Sequence, residues 1–152
     1  MLFNLLPIVT GLMTACLLSR IGRKPILQFG TSSTILALLL TAIGYFIEDG
    51  DEENEGAKIL ILVGYFIFMF MFGLSQGPVI FLYVPEIVNP QFVSIASFAN
   101  WATAAVISIL FPILSDAFGT PAPIFTFFAV WCFISLLFNQ KVLVETKGKT
   151  EK

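Results

Sequence analysis

Side chains able to do chemistry are sparse in this chain, and they interrupt otherwise apolar runs at a few places. Asn100 and Trp101 adjoin in "SFANWATAA". An amide surrounded by hydrocarbon seeks a partner, and Ala99, Ala102, Thr103 and Ala104 are small enough to let another helix approach it. Two readings follow: helix–helix glue, or a polar-ligand contact in which the amide bonds hydroxyls and the indole stacks on a sugar ring. In "GLSQGPVIF", Pro78 removes the N–H that would bond the Leu74 carbonyl, and Gly77 permits a bend there. That predicts an unwound point, either a plain kink or a hinge lining a substrate path. Charges cluster at the ends of apolar runs: Arg20, Arg23 and Lys24, then Glu86, then Glu145. Glu86 with Arg23, and with Glu145 nearby, makes a candidate latch between helices; independent interfacial anchoring is the alternative.

Other chemistry has no residue set. The 152 residues include no histidine. No CxxC pair, phosphate-cradling glycine loop with a lysine, or carboxylate pair within one segment occurs. The expectation is no enzyme, no cofactor and no metal site. A net charge of −2, with most acids in one block, gives no reason to expect a nucleic-acid partner. Cys16 and Cys132 lie in separate apolar runs and read as buried thiols acting as small hydrophobes.

The elements that must carry these residues are membrane helices. The chain is 57% hydrophobic and 12% charged, against about 25% charged in soluble domains. Five apolar segments, at about residues 1–19, 25–47, 59–84, 92–115 and 122–139, are each close to the length that crosses a bilayer. They lack the period-two alternation of a barrel, and backbone groups in lipid must be satisfied within the segment, so all five are expected to be helices. The first could be taken for a signal peptide, but its positive charges follow the apolar stretch, so it reads as a retained span. Alternating spans place seven of the eight Lys and Arg residues on one face, with only Lys58 on the other, which marks that face as cytoplasmic. The amino terminus then lies outside, the acidic "EDGDEENEGAK" loop outside as a solvated connector, and the tail 140–152 inside. An outside amino terminus without a signal suggests that something precedes residue 1. The plasma membrane is the default destination.

Four stretches in order resemble the carboxyl-terminal half of the sugar porter family of the major facilitator superfamily. "RIGRKP" is similar to that family's basic loop between the eighth and ninth helices. "GPVIFLYVPEI" is similar to its tenth-helix motif, "FANW" to an eleventh-helix motif and "VETKGKT" to its terminal motif. The resemblance covers essentially the whole chain and implies an all-α membrane protein whose five spans are helices eight to twelve. It implies sugar transport by alternating access, with the amino-terminal half of the transporter as the missing partner; a non-transporting interaction or regulatory remnant of the same fold is the alternative. It places Phe81, Asn100 and Trp101 in the sugar pocket, with Phe72 and Gln76 facing the same cavity. Arg23, Glu86 and Glu145 match the family's cytoplasmic charge network, which Arg20 adjoins.

The chain departs from the family pattern at several positions. Ser19 replaces the acid that commonly precedes the basic loop, and "IVNPQFVS" after Glu86 lacks the family's arginines. Gly73 stands where many members carry a glutamate, and Phe81 lacks the indole N–H of the usual tryptophan. The seventh helix, with its glutamine-rich sugar contacts, has no counterpart here.

Overall fold

The structure, a computed structural model, describes residues 2–50 and 54–143. Helix α1 (Leu2–Arg20) and α2 (Arg23–Gly50) are joined by Ile21 and Gly22 alone, and Gly22 turns the chain with φ of 100°, a conformation that glycine tolerates best. Helix α3 (Glu55–Met71), a π-helical segment (Phe72–Gln76) and α4 (Gly77–Ile87) follow one another without a break. Helices α5 (Pro90–Phe118) and α6 (Ala122–Val142) complete the chain. Asn54 caps α3, its side chain accepting from the Ala57 N–H at 3.2 Å, and Pro90 begins α5 where no intrahelical N–H is required.

Among the described residues, four helical stretches are long and apolar enough to cross a membrane: Arg23–Gly50, Glu55–Glu86, Pro90–Phe118 and Ala122–Val142. Helix α1 contributes the shorter apolar stretch Val9–Leu18. The chain is an all-α, multi-pass membrane protein. Most helices run past the apolar segments read from the sequence, because their polar ends continue the backbone ladder; α2 extends to Gly50 through Glu48 and Asp49.

Helix α2 is the spine. Its buried positions, Ile26, Leu27, Gly30, Thr31, Thr34, Ala37, Leu38, Thr41, Ala42 and Gly44, fall in groups three or four residues apart, the helical period. They are mostly small. Lipid offers helices no hydrophobic gain from meeting each other, so close backbone approach through small residues is what holds them. The buried threonines need no outside partner, since Thr31, Thr34 and Thr41 donate to the carbonyls of Leu27, Gly30 and Ala37 at 2.7, 2.9 and 2.9 Å. Helices α3 and α6 both pack against α2, while α1 lies against the π-helical segment. Near the end of α2, Tyr45 stacks on Phe125 of α6 with centroids 5.6 Å apart, and Phe111 of α5 meets Phe125 edge-on at 5.8 Å.

Helix α5 is peripheral. Among the described elements it touches only α4 and α6, and none of its residues is buried. Between α5 and α6 lies an apolar groove of about 750 Å³, walled by Ile107, Phe111, Phe127 and Trp131 among others. One expectation is corrected: Cys16 is exposed on the outside of the bundle and Cys132 is half-buried, because α1 turns its cysteine away from the spine. Neither is in a disulfide.

Candidate functional site

The polar positions singled out above converge on the Glu55–Ile87 helix. At 1.5 Å per residue it is about 48 Å long, against a hydrocarbon core of about 30 Å. Its π-helical segment therefore falls near mid-helix, at membrane depth.

The chain does not unwind there, and the expected unwound point is corrected to a widened turn. The N–H of Gly77 reaches back to the carbonyl of Phe72, one residue further than in an α-helix. The ladder resumes at Gly77, and Pro78, within this continuous helix, removes one N–H from it. The Leu74 carbonyl, which Pro78 cannot serve, lies 2.6 Å from the hydroxyl of Thr14 on α1. That hydroxyl is also 2.7 Å from the Thr10 carbonyl, so its single proton is shared between the two acceptors. The exposed polar backbone is thus covered by protein.

Close packing sets the surroundings. A Cβ on Gly30 of α2 would run into the Ser75 hydroxyl, so only glycine lets the spine lie against the widened turn. Ser75 itself donates to the Met71 carbonyl at 2.7 Å. At Gly73, where the family often has a glutamate, an added Cβ would come within 2.6 Å of the Thr10 hydroxyl. Any larger residue there would have to move the Thr10 side chain.

The five residues placed in the sugar pocket do not gather at one point. Phe81 of α4 and Asn100 of α5 share a cleft of about 60 Å³ with Ile80, Val84, Val93 and Ser97. Trp101 is 66% exposed and is not among the residues lining that cleft. Gln76 is half-buried and donates through Nε2 to the Thr31 hydroxyl of α2 at 3.2 Å. Phe72 is 44% exposed and stacks on Phe68 one turn earlier, with centroids 5.7 Å apart. No group here could hold a metal: among the described residues no cluster of three His, Cys, Asp or Glu occurs.

The ends of three helices meet. Arg23, at the start of α2, pairs with Glu86, in the last turn of α4, at 2.7 Å, and both side chains are less than a quarter exposed. Lys24 donates to the Gln140 carbonyl at 3.2 Å, which sets a cation on the carbonyls that close α6. The α1–α2 junction and the ends of α4 and α6 therefore lie at one end of the bundle, as alternating spans require. Arg20 closes α1 beside this group and is exposed. Glu145 lies outside the described residues. Sequence reasoning missed Thr14 and Thr31, the two hydroxyls that bind the widened turn to its neighbours. The signal for Thr14 was the orphaned carbonyl itself: a proline in mid-span implies a donor elsewhere.

A multi-helix membrane bundle, with a widened turn at mid-depth and paired charges at one end, has the architecture of a transport protein. The chain belongs to the sugar (and other) transporter family, whose model matches residues 1–152. It is 30% identical to a glucose transport protein of Synechocystis over 94% of this chain and 32% of that protein. It is 31% identical to hexose transporter 1 of Plasmodium yoelii yoelii, over 95% of this chain and 30% of the relative. It is 29% identical to a D-xylose transporter of Levilactobacillus brevis, over 98% and 32%. The chain thus spans about a third of the length of these relatives.

Proposed function

We propose that this chain is the carboxyl-terminal part of a sugar transporter that works by alternating access, and that it carries one wall of the sugar site and one half of the gate. The observation that carries this reading is on a single helix. Helix α4 begins at the widened turn, presents Phe81 to the Asn100 cleft, and ends at Glu86 in its pair with Arg23. A rotation about the turn would move cleft and ion pair together, which is what coupling a substrate site to a gate requires.

Asn100 supplies the amide that bonds sugar hydroxyls, and Phe81 an apolar face for the ring. Trp101, Phe72 and Gln76 lie outside this cleft and would meet the sugar only from other sides of the site. A cavity of about 150 Å³ is what holds a benzene-sized molecule, so the 60 Å³ cleft cannot enclose a hexose by itself. The remaining contacts come from the part of the transporter with no counterpart here. The bundle sits in the plasma membrane with Glu86 and Arg23 at the cytoplasmic face, following the excess of Lys and Arg there.

The test is uptake of radiolabelled glucose and xylose in cells lacking their own transporters. The chain is expressed alone, and with the amino-terminal two thirds of the Synechocystis relative. Uptake only on co-expression is expected. No uptake in either case, with both pieces folded and associated in the membrane, would favour the non-transporting remnant.

A further inference from the structure

At the opposite end of the bundle from the Arg23–Glu86 pair lies a second cleft, between the last turns of α2 and the first turns of α3. It holds about 310 Å³, within the lower range of ligand pockets, and is lined by Tyr45, Glu48, Lys58, Leu62, Tyr65 and Phe66 among others. We propose that this cleft binds the headgroup of a zwitterionic phospholipid from the adjoining leaflet, with the ammonium toward Glu48 and the phosphate toward Lys58.

Three observations carry the proposal. First, a carboxylate and an ammonium face one cleft without pairing. Among the described residues, neither the Glu48 nor the Lys58 side chain makes an ion pair or hydrogen bond. Opposite charges left available in one cavity suit a ligand that carries both signs. Second, the chemistry is graded with depth. Glu48 and Lys58 lie within a turn of the helix ends at Gly50 and Glu55. Tyr45 lies three residues inward along α2, about 4.5 Å, and Tyr65 seven residues inward along α3, about 10 Å. Leu62 lies between Lys58 and Tyr65 along α3, and Phe66 adds apolar surface just below Tyr65. A phospholipid has the same order: charged headgroup, ester region, acyl chain. Tyrosine is favoured at that level of a membrane because its ring is apolar and its hydroxyl polar. Third, the wall continues outward as lipid-compatible surface. Ile59, Leu62, Val63 and Phe66 are 61%, 55%, 44% and 47% exposed, so acyl chains leaving the cleft meet apolar side chains.

The experiment is native mass spectrometry of the purified full chain in detergent with equal amounts of phosphatidylethanolamine and phosphatidylglycerol of matched acyl chains. The expected result is severalfold more phosphatidylethanolamine retained. Glu48→Gln should abolish the preference by removing the partner of the amine, and Lys58→Gln should lower retention of both lipids. Circular dichroism confirms that each variant keeps its helix content. Equal retention by the unaltered chain would overturn the proposal, as would a preference that persists unchanged in both variants. Displacement by soluble glycerophosphoethanolamine, which lacks acyl chains, at equal concentration would assign the cleft to a free zwitterion and overturn the lipid.

Discussion

Asn100 and the Arg23–Glu86 pair pose separate questions at the scale of single residues. Asn100 shares a cleft with Phe81, and under the proposed function a sugar hydroxyl bound there would lose its partner in Asn100→Ala. With the complementary part of a transporter present, the expected loss is about 1–3 kcal/mol of sugar affinity with unchanged abundance. Trp101→Ala should weaken uptake in the same way, and unaltered affinity in both variants would return them to helix packing. The ion pair is tested by a double-mutant cycle. Glu86→Gln or Arg23→Gln each leaves a charge at the membrane edge without its partner, so each should slow cycling more than it lowers expression. If they act through one bond, the double variant should be no worse than either single one, and the coupling energy should fall within about 0.5–3 kcal/mol. Additive losses would mean two independent anchors.

At the scale of the element, the Glu55–Ile87 helix depends on what replaces the bonds that Pro78 removes. Thr14→Val keeps the shape and deletes the donor to the Leu74 carbonyl, so it should destabilise the bundle by about 1 kcal/mol, seen as earlier loss of helicity in a denaturing-detergent titration. Unchanged stability would mean that water or another group serves that carbonyl. This helix also separates what was legible in the sequence from what was not. Its existence and its proline followed from composition and the local rule that proline breaks the ladder. Glu86 and Arg23 could be picked out as candidate partners because lone charges ending apolar runs on one face have few choices. The widened turn was not legible, since local sequence says that a bond is lost, not how the chain redistributes the rest. Nor was the Gln76 contact, because Thr31 is 45 residues away and only the packing of α2 brings it near. Phe81 could be named only through the family resemblance, whereas Asn100 already stood out as an amide within an apolar run; that Phe81 and Asn100 share a cleft that Trp101 does not line depends on how α5 sits against α4.

On the scale of the whole molecule, the bundle has one well-packed seam and one open side. Helix α2 buries a face of small residues, whereas α5 buries nothing and presents Phe98, Trp101 and Ile109 outward at 74%, 66% and 64% exposure. Such surface is stable only in lipid or against further protein, and the chain spans about a third of its relatives' length. Orientation is checked by impermeant thiol labelling on intact cells, with Cys16 and Cys132 first replaced by serine. A cysteine at Asn54 should react and one at Thr150, outside the described residues, should not; the reverse would invert the bundle.

The central claim is that α4 joins a sugar site to a gate, and substrate protection tests it most directly. With the amino-terminal part of the Synechocystis relative co-expressed, Asn100→Cys is labelled from the cytoplasmic side with and without transported sugar, in the native Glu86 background and with Glu86→Gln. The account predicts that sugar slows labelling at position 100 and that Glu86→Gln speeds it in the absence of sugar. Labelling that ignores both the sugar and the loss of Glu86, in an assembly that still transports, would contradict it.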